Sequence, residues 1–344
     1  MHVPAESVHV NRSDYMKRET SDWLLDQSNP SVRFWTLQQV LGKRQNDPEV
    51  MRAQAEVMRS DEVTRILKAQ RPEGHWEKSE DMYRPKYTAT THTLLILAEL
   101  GAAREPQIER AVEHIFRFQR VSGHFLIQLP KTQRAKESVV KDGCCIDGNI
   151  LYYLVHFGYL DDPHTQQLIQ FQVDYHSDDV SGWKCRSYPI DPSKVFPENC
   201  YMGRIKVLRA FARIPKSKRS SDLQRIINQE VETVLDNGIF RYLRNTDGSR
   251  KDKQGWKRFG FPLFYQSDAL EVLDVLTELG VRDERMGDAI ELTLSQMSDK
   301  GTWALKNSYN GKMWIAIEEQ GKPSKWITLR AIRVLDRYFG NTPS

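Results

Sequence analysis

Four cysteines are the residues whose type and spacing first suggest chemistry. Cys144, Cys145, Cys185 and Cys200 fall in one central stretch of a 344-residue chain. The surrounding apolar spacing places Cys144, Cys145 and Cys200 at two helix starts and Cys185 in a turn. A helix N-terminus favours thiolate over thiol. Thiolates from Cys144, Cys185 and Cys200, with Asp142, Glu198 or a water, would suit tetrahedral zinc. A position left open would let the metal activate a thiol or a water. Cys145, one residue on from Cys144, is the spare. The competing reading is packing, because free cysteine is among the most buried residue types. No CxxC pair is present to decide between the two.

Other polar and aromatic groups gather near helix starts, in segments 85–92, 141–149, 197–204, 261–268 and 322–330. Tyr87, Tyr201, Phe264, Tyr265 and Trp326 would make an aromatic wall whose ring faces stabilise a cation or hold an apolar chain. They serve equally as core aromatics. Lys325, Arg330 and Arg204 would bind a diphosphate, or would form salt bridges. His92 and His156 lie in apolar helices and read as packed core residues.

The elements that must position these groups are helices. Apolar residues recur at three- to four-residue spacing throughout, and strand patterns are almost absent. Helices pair up across short links: 88–100 with 105–119, 147–157 with 163–173, 199–214 with 221–235, and 267–279 with 284–296. Glycine follows the first helix of a pair at 101, 158 and 280, the expected helix stop. The first helix of each pair is apolar nearly all round, and the second has a charged face. That implies an inner and an outer layer: an all-α chain folded as an α/α toroid. The first 20 residues read as a flexible lead. Residues 21–344 read as one toroid domain, with a helical extension over 21–58.

A turn pattern punctuates the pairs. Gln70 to Trp76 reads Gln-x3-Gly-x-Trp. Gln119 to Phe125 repeats the spacing with Phe, and Gln296 to Trp303 is one residue longer. Ser177–Trp183 and Lys251–Gly260 are degraded candidates. These turns predict structural tryptophans and a glycine at positive φ.

Composition bounds the rest. Hydrophobic residues make up 39% and charged residues 28%, and 50 basic against 46 acidic side chains give a net +4. This mild, dispersed excess does not mark a nucleic-acid face. No stretch approaches the ~20 apolar residues of a membrane span, and no apolar signal core opens the chain. The expected location is cytoplasmic.

The Gln-x3-Gly-x-Trp turns between helix pairs resemble the repeats of squalene cyclases and protein prenyltransferase β subunits. The resemblance covers residues 60–340. It implies a ligand in a central cavity, reached where the inner helices start, and a small hydrophobic, isoprenoid-type molecule as that ligand. Squalene-type cyclases start with an Asp-x-Asp-Asp acid, which this chain lacks; Asp268 is the carboxylate that would stand in. Asp142-Gly143-Cys144 resembles the zinc-binding Asp-x-Cys element of prenyltransferases. Their later His-Thr-Cys-Tyr corresponds to Glu198-Asn199-Cys200-Tyr201, so Glu198 holds the histidine position. Those enzymes work with a partner subunit, on which this chain is silent.

The catalytic candidates are Asp268, Tyr265 and Arg330. Three functions fit: an isoprenoid-handling transferase or cyclase, with zinc as its cofactor if the cysteines bind it; another toroid metalloenzyme resembling lanthionine synthetases; or a non-catalytic toroid that binds a partner or small molecule.

Overall fold

The computed structural model describes residues 10–132, 143–177, 182–183, 200–241, 243–244 and 249–340. Several of its helices begin where the sequence supplies a cap. Asn29 accepts from the Val32 amide, ahead of Pro30, to start α3 (Pro30–Gln39). Asp47 caps α4 (Pro48–Arg59) and Ser60 caps α5 (Asp61–Lys68). Such side-chain acceptors satisfy amides that a helix start leaves free. The chain continues with α6 (Thr90–Glu99), α7 (Pro106–Phe116), α8 (Cys144–His156), α9 (Pro163–Asp174), α10 (Tyr201–Ala212), α11 (Ser221–Asp236), α12 (Ala269–Glu278), α13 (Gly287–Ser295) and α14 (Lys325–Phe339). Two short antiparallel pairings, Leu243–Arg244 with Arg250–Lys251 and Trp303–Ala304 with Pro323–Ser324, are the strand pairs among the described residues.

The helices form two layers. Helices α6, α8, α10, α12 and α14 pack side by side in that order, and α7, α9, α11 and α13 each back onto the inner helix before them. Every residue of α6 is buried. In α7 burial is confined to one stripe, from Ile108 to Ile115. This is the α/α toroid that the alternation of apolar and amphipathic helices predicts. The tightest crossing joins α8 and α10. A Cβ on Gly148 would stand 2.6 Å from the Lys206 carbonyl carbon, and one on Gly203 would collide with Cys144 Sγ.

The repeated turns hold the layers together. Trp76 Nε1 donates to the Ile66 carbonyl at 2.8 Å, back onto its own outer helix, and its amide meets Thr90 Oγ1 on the next inner helix at 3.1 Å. Trp303 repeats both bonds, with Thr293 and Thr328. Trp183 Nε1 likewise donates to the Gln172 carbonyl at 2.8 Å. Gln70 donates to the Gly74 and Gln107 carbonyls, and Gln119 donates to those of Gly123 and His164, so each turn reaches the following outer helix. Gly74 takes φ +90°, and a Cβ there would strike the Arg110 carbonyl oxygen. The Ser177–Trp183 candidate is therefore a true member of the series. The Lys251–Gly260 candidate is not: Gln254–Lys257 is a 3₁₀ turn, although Trp256 is buried.

Two expectations for the N-terminus change. Within the supposed flexible lead, Arg12–Tyr15 and Arg18–Leu24 are helical (α1 and α2). Arg12 binds both oxygens of Asp336, and Tyr15, fully buried, donates to the same carboxylate at 2.8 Å. Within the supposed extension, α3 joins the inner ring and α4 packs against α3. Helix α3 packs on α14, and Trp35 Nε1 reaches the Glu99 carbonyl at the end of α6 at 2.7 Å. No helix among the described residues is long and apolar enough to cross a membrane.

Candidate active site at the inner-helix starts

Tyr83, Tyr87 and His92 lead into α6, Ile146 and Asn149 open α8, and Phe264 and Tyr265 precede α12. The toroid brings these starts together. Tyr87 packs 4.9 Å from Phe264 and 4.6 Å from Tyr309, and His92 lies 4.6 Å from Tyr83 and 5.5 Å from Phe264, ring centre to ring centre. Tyr83, Thr91, His92, Leu95, Ile146, Asn149 and Tyr265 enclose a cavity with about 10 Å³ of free space, room for about one water.

Two polar atoms on that cavity have no hydrogen-bond partner, His92 Nδ1 and Asn149 Oδ1. The Asn149 amide nitrogen is occupied by the Phe264 carbonyl at 3.1 Å. Burial of partnerless polar atoms is costly, so a ligand group that satisfied both would recover that cost. Burial also holds His92 neutral: desolvation, helped by the Lys86 charge, takes its pKa down to about 3.

The tyrosines differ among themselves. Tyr87 and Tyr265 place their hydroxyls 3.4 Å apart, and the Lys86 ammonium stands 4.8 Å from the Tyr265 ring centre. Desolvation pushes both phenols up. For Tyr265, the hydroxyl of Tyr87 and the charge of Lys86 outweigh it and hold the phenol below its ordinary value. Tyr87 goes well above its own, and Tyr309 is pushed up to about 12, chiefly by burial. Tyr265 is therefore the most acidic phenol of the three. Backbone strain collects here too. Tyr87 and Phe264 have φ of +76° and +49°, a region that bulky residues avoid except where their surroundings force it.

The other sequence candidates are placed elsewhere. Asp268 caps α12: its oxygens accept from the Glu271 and Gly260 amides, both at 2.8 Å. It is buried, and desolvation lifts its carboxyl to about 6. It does not line the aromatic cavity. Arg330 lies midway along α14, 3.9 Å from Asp274 and 5.7 Å from the Phe261 ring centre. Trp326 stacks on Phe261 at 4.1 Å, and the Tyr201 hydroxyl bonds the Ile239 carbonyl at 3.1 Å; neither forms the aromatic wall. Arg204 pairs with buried Glu230, and Lys325 with Asp26 at 3.5 Å. Of the metal candidates, Asp142, Cys185 and Glu198 lie outside the described residues. Cys144 Sγ and Cys200 Cβ do converge, both close to Gly203, and Cys200 Sγ accepts from the Gly203 amide at 3.4 Å. Among the described residues no three histidine, cysteine or acidic groups are arranged to hold a metal ion. A zinc site takes three or four protein donors, so Cys144 and Cys200 would need others from Asp142, Cys185 and Glu198.

Sequence reasoning reaches Asn149 only as part of the 141–149 segment, without singling it out, and misses Tyr83 and Tyr309. Asn149 stands one turn inside an inner-helix start, a position that a helix-start survey can find. Tyr309 sits in a loop whose path only the fold reveals.

No protein-family model matches the chain, and no curated protein matches it. Among solved structures, a variant of the type II terpene cyclase MstE from Scytonema, in complex with geranylgeranyl dihydroxybenzoate, is similar over 94% of this chain and 99% of that one. The two are 13% identical with a TM-score of 0.48. An unsaturated glucuronyl hydrolase specific for heparin is 12% identical over 93% of this chain and 86% of its own, with a TM-score of 0.43. A cellobiose 2-epimerase from Bacillus thermoamylovorans is 11% identical over 66% of each chain, at 0.37. These are likenesses of shape between α/α toroids, and the chemistry of the site rests on its own residues.

Proposed function

We propose that the chain is an isoprenoid-handling enzyme of the terpene-cyclase and prenyltransferase type, with its site in the aromatic cavity at the inner-helix starts. The observation that carries this reading is the pairing of aromatic walls with two partnerless polar atoms, His92 Nδ1 and Asn149 Oδ1. An apolar chain lies against the ring faces, and one polar group of the ligand bridges the two atoms. The cavity has room for about one water, so binding an isoprenoid parts the surrounding rings, Tyr87 and Phe264 among them. Tyr265 is the group placed to move a proton, and the faces of Tyr87, Phe264 and Tyr309 stabilise positive charge on the ligand. Asp268 positions the 260–268 segment.

The test is equilibrium binding of geranylgeraniol, with mass spectrometry of products after incubation with geranylgeranyl substrates. Wild type binds and converts; Asn149→Leu weakens binding roughly tenfold; Tyr265→Phe binds but does not convert. Failure of wild type to bind any isoprenoid ends the proposal. A second reading, a toroid that binds without catalysis, is favoured by the double amide engagement of Asp268, which leaves no carboxylate on the cavity. Binding without conversion by wild type would select it.

A further inference from the structure

The opposite end of the toroid, where the inner helices finish, holds a different opening. A cleft of about 520 Å³ lies between α3, α4 and the ends of α6, α8 and α10, bordered at the surface by exposed Gln45, Arg104 and Gly158. Its wall carries a row of side-chain amides: Gln38 donates to Gln45, Gln45 to Gln54 at 3.0 Å, and Gln54 to the Gly101 carbonyl at 3.4 Å. At its base Trp35, Tyr152 and Arg213 are shared with a second, inner void of about 20 Å³. Arg330 lies on that void.

The charges around the void are almost fully matched. Glu99 takes Arg209, Asp274 takes Arg333 and Arg337, and Glu278 lies 3.2 Å from Arg213. Two guanidinium groups remain incompletely used. Arg330 Nη1 is a buried donor without a hydrogen-bond partner, and Arg213 Nε is ion-paired with Glu278 at 3.2 Å without a well-formed hydrogen bond. Helix C-termini attract cations, which accounts for Arg209 and Arg213 at the end of α10. It does not account for Arg330, midway along α14, with a buried unbonded donor beside the void.

We propose that this end is a second binding site, for a small polar molecule bearing an oxyanion. The carboxylate or phosphate group lies in the inner void against Arg330 Nη1, in a charge-assisted hydrogen bond, with the Arg213 guanidinium adding positive charge beside it. The rest of the molecule lies in the outer cleft, against Trp35 and the Gln38–Gln45–Gln54 amides. This site is separate from the aromatic cavity and independent of the isoprenoid reading.

The test is isothermal titration of the full chain with sodium phosphate and, separately, with succinate, at constant ionic strength. Saturable one-to-one binding to either anion is expected; phosphate alone points to phosphorylated ligands, succinate alone to carboxylates. Arg330→Gln is expected to weaken binding roughly tenfold, and Arg285→Gln, an exposed surface arginine, to leave it unchanged. If Arg330→Gln does not fold, Arg213→Gln, whose side chain is only half-buried, carries the same expectation. Absence of saturable binding to both anions overturns the proposal, as does undiminished affinity in the arginine variants.

Discussion

At the end where the inner helices begin, rings meet: Tyr83, His92 and Tyr265 line a small cavity, and Tyr87, Phe264 and Tyr309 pack beside them. Further along the same helices, ions meet instead. Lys206 is fully buried and gives Glu271 two bonds at 2.6 and 2.7 Å; Arg209 holds Glu99 and approaches Glu271 at 3.6 Å; Arg333 binds Asp274. At the aromatic end two polar atoms, on helices α6 and α8, lack partners beside the strained residues Tyr87 and Phe264. In the ionic stretch nearly every charge is answered. The difference assigns roles. The ionic stretch fixes the packing of α6, α10, α12 and α14, whereas the aromatic end is held in a form that a ligand would improve.

If that division is right, damage to the two regions differs in kind. Glu271→Ala leaves Lys206 buried without its partner and costs about 3–5 kcal/mol in denaturant unfolding. Loss of less than 1 kcal/mol would remove the ionic stretch from the packing role. Trp303→Ala, in a repeat turn, costs a similar ~3–5 kcal/mol, with activity lost only as the fold is lost.

Acid should act next. His92 and His114 are held neutral in the fold, at about 3 and 4, mainly by burial. An unfolded histidine titrates near 6.5. Stability is therefore complete above pH 6.5 and falls as the pH drops toward 4, by about 3 kcal/mol for each such histidine. Thermal melts across that range should show it, and His92→Phe should remove one share.

Asp268 runs the other way and contributes less. Its folded value of about 6 lies above the 3.8 of a free carboxyl. Its contribution is present below pH 4 and lost as the pH rises through 6, on the order of 2–3 kcal/mol. Asp268→Asn flattens that component between pH 4 and 6; an unchanged slope would show that the carboxyl does not titrate there. The smallest stability effect belongs to Tyr265→Phe. It deletes one hydroxyl at the proposed site and should shift unfolding by no more than about 0.5–1 kcal/mol, while stopping the proposed conversion.

The contrast also explains what the sequence discloses. Layering was legible because burial writes itself into periodicity: TTHTLLILAE in α6 against PQIERAVEHIF in α7. The turns were legible because Gly74 has no room for a side chain and Trp76 must find a carbonyl. Tyr87, Phe264 and Tyr265 were found because they sit beside inner-helix starts. Tyr309 was hidden, since Tyr87, on which it packs, lies near the other end of the chain and the two meet only when the ring closes, as the Tyr87–Tyr265 and Thr88–Trp314 contacts, 178 and 226 residues apart, also do. The buried ion pairs were hidden as well. Lys206 and Glu271 are 65 residues apart, and each reads as an ordinary charge on its own helix.

The most direct test of the division between the two ends is hydrogen exchange with and without geranylgeraniol. The account predicts added protection in residues 83–92 and 261–268, with none in 35–39, 99–104 and 330–333. Protection confined to the latter segments, or absent from the former at saturating ligand, would contradict it.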